Sequence, residues 1–168
     1  YGLCAEVVMP MNAYACPTLH PAISRGRLLS PADEHQDTIA ALLSQLAEDG
    51  EHSAIPAQAA RSFAEAMVGS SKLFLWAAES GEIVSMAMLA HQGGGMARIN
   101  TVVTDRSHRG SGYAGMLVSA MCAPLLQAQT LPMLYADAHN PASNRAYQKI
   151  GFVPFGSVTE YRLERTVP

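Results

Sequence analysis

The stretch RGSGYAG, Arg109 to Gly115, stands between ARINTVVT and MLVSAMCAPLLQ. The first neighbour is rich in β-branched residues and reads as a strand; the second is apolar and reads as a helix. Three glycines therefore fall where a strand ends and a helix begins. The first N–H groups of a helix have no partner inside it, and the helix dipole favours negative charge there. Glycines let such a backbone approach a phosphate closely and adopt positive φ. Arg109 adds the means for a charge-assisted contact. The stretch reads as an anion site. It is not a P-loop, because no Lys-Ser/Thr pair follows Gly112. It is a poor dinucleotide fingerprint, because the preceding strand belongs to a meander and no acidic residue ends a following strand at the required distance.

Upstream, the pattern has period two. KLFLWAA, EIVSMAMLAH and MARINTVVT are short β-rich runs separated by ESGE and QGGG, which predicts an antiparallel meander. Farther upstream the period is helical. SPADEHQDTIAALLSQLAED starts with Ser30 as cap and Pro31 at the first helical position, with Ile39, Leu42, Leu43 and Leu46 as the apolar stripe. IPAQAARSFAEAMVGS predicts a second helix ending near Gly69. Residues 1–24, with Pro10, Pro17 and Pro21, read as a short strand near Leu3–Met9 followed by an irregular arm, and residues 25–168 as the domain proper. Downstream of the glycine turn, MLYADA predicts a strand and PASNRAYQKI a short helix stopped by Gly151. FVPF and SVTEYRL are expected to close as a hairpin. Strands and helices in this order predict an α+β fold, one sheet flanked by helices.

The 168 residues suit one domain, 49% hydrophobic and 15% charged, against about 25% charged in a typical globular chain. An interface between two copies, a homodimer, is one use of so little charge. The net charge is −3 and Lys and Arg form no run, so neither nucleic acid nor an anionic membrane is expected as a partner. No uninterrupted apolar run reaches about 18 residues. Three cysteines, Cys4, Cys16 and Cys122, show no metal spacing, and no metal is expected. They fit idle thiols in a reducing compartment, and the expected location is the cytoplasm. YGLCAEVVMP lacks a signal peptide's basic start and long apolar centre; with Tyr1 first, a preceding segment stays open.

A second motif decides between uses of the glycine turn. NPASNRAYQKIGF, Asn140 to Phe152, follows the next predicted strand. Together with RGSGYA it resembles the GCN5-related N-acetyltransferase (GNAT) family. Arg109, Gly112 and Ala114 fill that family's Q/R-x-x-G-x-G/A signature. Asn140, Ser143, Tyr147, Lys149, Gly151 and Phe152 fill its N-x-x-[AS]-x-x-x-Y-x-K-x-G-F pattern. The strong match covers roughly residues 96–155. The resemblance implies a mixed, mostly antiparallel sheet with one splayed pair of strands, and acetyl-CoA or another acyl-CoA as co-substrate. Carried over by position, the N–H groups of Gly110, Ser111, Gly112, Tyr113 and Ala114 hold the diphosphate. Main-chain groups at Val102 and Thr104 pair with the pantetheine arm, and Asn140 and Asn144 offer side-chain amides. Asn140 alternatively caps the short helix.

The implied reaction moves the acyl group directly to a primary amine, with Tyr147 assisting the leaving thiolate. A free phenol has a pKa of about 10 and a thiol about 8.5, so full proton transfer is uphill by roughly 2 kcal/mol. A strong hydrogen bond is the better reading. Two departures from the family stand out. The run ARINTVVT carries no carboxylate to serve as base, which leaves Asp137, His139, His91 and Glu82 as weak candidates; Arg106 stands where relatives often have proline. The acceptor is a small-molecule or peptide amine, with metabolite, antibiotic, peptide N-terminus and protein lysine all open, and residues before 80 are expected to shape its pocket, the connection EDGEHSAIPAQ among them. Two alternatives compete: a non-catalytic acyl-CoA-binding or sensing module on the same fold, and a protein that holds ATP or a dinucleotide on Gly110–Gly115.

Overall fold

A computed structural model describes residues 3–20, 23–50 and 54–165. The expected meander is present: β3 (Leu73–Ala77), β4 (Ile83–Gly93) and β5 (Met96–Thr104) pair antiparallel in chain order. Ahead of them lie β1 (Leu3–Ala15), the short β2 (Arg27–Leu29), α1 (Gln36–Asp49) and α2 (Ala57–Val68). After them come α3 (Tyr113–Gln127), β6 (Leu131–Asp137), α4 (Pro141–Lys149) and β7 (Val153–Arg165). The seven strands form one sheet in the order β2-β3-β4-β5-β6-β1-β7. Only β5 and β6 run parallel. Their pairing stops at Ile99 opposite Leu134, so Asn100–Thr104 and Tyr135–Asp137 part from each other. The α+β class is as the sequence pattern predicts, and the splayed pair is as the family resemblance implies.

Two apolar layers hold the helices on the sheet. Ile39 and Leu42 of α1 and Ala64 of α2 bury against Leu73, Leu75, Met86 and Val103 on one face. On the other, Leu117, Val118 and Met121 of α3 and Tyr147 of α4 pack with Tyr14, Trp76, Ile99 and Leu134. Each fully buried aliphatic side chain contributes about 1.5–3 kcal/mol, which fixes which face each helix covers.

Three local expectations are corrected. The amino-terminal strand is not short: β1 runs thirteen residues and lies between β6 and β7, inside the sheet. Pro10 is tolerated at the very end of the β1–β6 ladder, whose register begins at Met11: its carbonyl still accepts the Ala138 N–H at 2.9 Å, and only the return bond that its nitrogen cannot donate is missing. The carboxy-terminal hairpin is one strand, β7, paired with β1 along its length; Gly156 makes no turn, and Phe155 is the extra residue of a bulge between the Ala13–Gly156 and Tyr14–Pro154 pairs. The first helix begins later than Ser30. A single 3₁₀ turn, Asp33–His35, precedes α1, and Nδ1 of His35 accepts the Ala32 N–H at 3.0 Å in place of a serine cap.

Candidate functional site

The backbone between β5 and α3 is clamped from α1. Asp105 caps a 3₁₀ turn at Arg106–His108, and its carboxylate accepts from the Ser107 N–H at 2.9 Å and from Nε2 of Gln45 at 2.8 Å. The Ser107 hydroxyl, Gln45 and the Ser107 N–H hold this carboxyl well below the usual range. Arg106 binds Glu48 at 2.7 Å and Asp49 at 2.9 Å. Its side chain thus joins α1 to the turn. Arg109 donates from Nη2 to Asp49 at 2.5 Å and from Nε to the Thr104 carbonyl at 3.0 Å. Asp49 feels burial, which raises its pKa, but hydrogen bonds from the two arginines outweigh that and lower it.

Beyond Arg109 the chain needs glycine. Gly110 has φ +79° and Gly112, the cap of α3, φ +85°, a region that costs other residues roughly 1–2 kcal/mol. A Cβ on Gly110 would meet open space, so the turn is accessible from outside. Among the described residues, the N–H groups of Gly110, Ser111, Gly112, Tyr113 and Ala114 have no acceptor within the protein. Five unpaired donors converge at a helix N-terminus. Arg25, 86 residues away in sequence, reaches over the same turn and donates to the Ser111 carbonyl at 3.2 Å. Nothing local to Arg25 announces this; only the folded chain brings it there.

The splay supplies the second part. The Asp105 N–H bonds the Val84 carbonyl at 2.9 Å, and the Ser85 hydroxyl donates to Val103 at 2.8 Å. Main-chain direction alternates along a strand. Val103 therefore faces β4, and Val102 and Thr104 face the gap left by β6. A bulge in β5, two residues opposite Ala87, sits at Thr101, whose φ is +52°. The Thr104 carbonyl already accepts from Arg109, which leaves its N–H for the gap.

The helix α4 closes the other side. Asn140 caps it through Oδ1, which accepts from the Ser143 N–H at 3.1 Å. Asn144 is different from the expectation. Its amide donates to the Asp137 and Asn140 carbonyls at 2.8 and 2.6 Å, and its oxygen accepts from Asn12 at 3.0 Å and Tyr14 at 2.7 Å. Every valence is filled inside the protein, so Asn144 is a buried anchor and not a free amide. Tyr147 lies in the core beside Phe152, ring centres 6.0 Å apart. Burial pushes its phenol well above the ordinary value, and its hydroxyl has no hydrogen-bond partner among the described residues. The turn, the splay and Tyr147 thus occupy adjoining elements; Asn140 lies at the rim.

The weak candidates for a base have local roles. Asp137 accepts from the His139 N–H at 2.9 Å, and Glu82 lies 3.4 Å from Nε2 of His108. His91 is exposed on β4. Part of the expected acceptor-pocket segment, residues 51–53, lies outside the described residues. A cleft of about 410 Å³ between α1 and α2 is lined by Asp37, Ser44 and Arg61 and by no residue of β5 or β6. Among the described residues, no cluster of His, Cys, Asp and Glu could hold a metal ion, and no helix is long and apolar enough to cross a membrane.

Comparison with known proteins gives the same picture. Solved structures share the fold at low identity. A protein from Novosphingobium aromaticivorans placed in the GNAT family superposes with a TM-score of 0.70 at 18% identity, over 97% of this chain and 68% of its own. A GCN5-related N-acetyltransferase from Sphaerobacter thermophilus gives 0.66 at 17%, over 95% of this chain and 51% of its own. A GNAT-family acetyltransferase from Bacillus anthracis gives 0.64 at 16%, over 77% and 81%. This chain thus spans about half to two thirds of the first two. No curated protein matches it. The sequence model of the acetyltransferase (GNAT) family matches residues 39–152, more than half of the chain and all of the turn, splay and α4. The chain belongs to the GNAT acetyltransferase family.

Proposed function

We propose that this chain transfers an acetyl group from acetyl-CoA to a primary amine. The observation that carries the reading is the set of five unpaired N–H groups at Gly110–Ala114, beside a gap where two strands leave main-chain groups free. Those amides suit a diphosphate. The Val102 and Thr104 main chain suits the amides of a pantetheine arm, which adds to β5 as a short strand would. Asn140 has its amide nitrogen for the same ligand while its oxygen caps α4. Arg25 and Arg109 supply positive charge at the turn, Arg109 chiefly by holding it in shape. Gly110–Ala114, Val102 and Thr104 form one continuous path from the diphosphate to the splay.

In the reaction, the amine nitrogen bonds the acetyl carbon and the carbon–sulfur bond breaks. One proton leaves the nitrogen and one reaches the sulfur, so acetyl-CoA and amine give amide and CoA. Tyr147 is neutral across the physiological range, as a free phenol is, and burial pushes its pKa further up. It donates a hydrogen bond to the sulfur as charge develops there. The raised pKa makes complete proton transfer from Tyr147 harder still than for a free phenol, which favours the hydrogen bond. With no carboxylate on β5, the amine binds neutral or loses its proton through water.

The test is release of CoA thiol from acetyl-CoA over a panel of primary amines. Saturable, amine-dependent release supports the reading. The missing carboxylate on β5 favours a second one, a non-catalytic acyl-CoA-binding module; binding of acetyl-CoA with no release for any amine decides for it.

A further inference from the structure

Among the described residues, one half-buried cation of the sheet holds no carboxylate. Arg98 lies on β5 opposite His91 on β4 and Met133 on β6, one residue before the β5–β6 ladder ends. Its neighbours Ala97 and Ile99 are buried, and Ile99 packs in the core with α3, α4 and Tyr147. Alternation along the strand therefore turns Arg98 to the opposite face, away from the turn and α4. Tyr135, two residues beyond Met133 on β6, shares that face, and the guanidinium carbon of Arg98 stands 5.5 Å from its ring centre. Nε of Arg98 is buried and makes no hydrogen bond. Arg61, Arg106, Arg109 and Arg162 each hold a carboxylate; among the described residues Arg98 holds none. Asp137, on the same face, is engaged with His139.

An arginine steered by an aromatic ring, half exposed and holding no carboxylate, can present its two terminal nitrogens to a planar anion. Its position gives that anion a place. The gap opens at Asn100, two residues or about 7 Å along β5. A ligand that enters from this face and puts its nitrogen in the gap would set its other end on Arg98. We infer that Arg98 is the anion subsite of the acceptor pocket, and that the acceptor is a small primary amine which also bears a carboxylate. This rests on the acetyl transfer proposed above.

The experiment uses paired acceptors: amino acids with the amine one to six bonds from the carboxylate, each beside its carboxamide. Acetyl-CoA binding is measured by calorimetry and turnover by thiol release. For the preferred spacing, the acid should exceed its amide in kcat/KM by about tenfold or more, the worth of a hydrogen bond to a charged group. Arg98→Gln should bring that ratio near one; Arg98→Lys should keep a ratio clearly above one. Amides equal to or better than their acids in the unaltered protein would overturn the inference and leave acetyl transfer standing. So would an unchanged ratio in Arg98→Gln. If Arg98→Gln fails to fold, the unaltered protein's ratio decides alone. Absence of acetyl-CoA binding, or of turnover with every amine, would overturn both.

Discussion

Tyr14 donates its phenolic hydrogen to Oδ1 of Asn144 at 2.7 Å, across the joint between β1 and α4. Gln148 donates back to the Tyr14 oxygen at 3.1 Å. The amino-terminal strand is thereby part of the scaffold that positions Tyr147, one turn along α4. Asn144→Ala would take from the buried Tyr14 hydroxyl its acceptor and from the Asn12 amide its partner, while the Asp137 and Asn140 carbonyls keep the Asn140 and Asn144 N–H groups. It should destabilise the protein by about 3 kcal/mol, and Tyr14→Phe by about 1 kcal/mol, measured by denaturant unfolding. An Asn144→Ala protein as stable as the original but weaker in acetyl-CoA binding would show that the amide reaches the ligand instead.

Tyr147→Phe should lower kcat by about a hundredfold and change acetyl-CoA affinity by less than about threefold, because the hydroxyl serves the developing thiolate and the ring serves the core. Steady-state kinetics beside calorimetry separates the two. Unchanged turnover would remove the tyrosine from the reaction.

Burial raises the Tyr147 pKa, so the folded state holds this proton more tightly than the unfolded state does. The linked stability is complete below the ordinary phenol value of about 10 and is lost as pH rises beyond it. Unfolding free energy should fall more steeply above pH 10 in the original than in Tyr147→Phe. Parallel curves would mean that the phenol titrates as if exposed.

Two glycine substitutions should separate ligand binding from folding. Gly112→Ala places a side chain at φ +85° at the head of α3 and should cost roughly 1–2 kcal/mol of stability while weakening acetyl-CoA binding at least about tenfold. Gly151→Ala would put Cβ 2.1 Å from the Thr18 carbonyl at φ +111°, and should cost about 3 kcal/mol, with binding intact in whatever folds. Thermal melts with and without acetyl-CoA distinguish them: the ligand should raise Tm for Gly151→Ala and barely move it for Gly112→Ala.

Much of this was legible in the chain because the signals are local. The meander shows as period-two runs between turn residues, and the glycine turn, α3 and α4 as punctuation at fixed spacing. What escaped depends on partners distant in sequence. Pro10 argued against a long β1, yet it falls at the end of the β1–β6 ladder, where it keeps the bond from the Ala138 N–H and forgoes a single terminal one. Gly156 looked like a turn but lies in a strand bulged at Phe155. Asn140 and Asn144 both offer amides in the sequence; only the positions of Asn12 and Tyr14 show that Asn144 is fully bonded inside. Arg25 joins the glycine turn through the fold alone.

Amide chemical shifts during titration with CoA test the central claim most directly, since they report on the N–H groups themselves. Saturable shifts concentrated at Gly110, Ser111, Gly112, Tyr113 and Ala114, with smaller ones at Val102 and Thr104, are the predicted result. Binding that leaves those amides unmoved, or no binding at all, would contradict it.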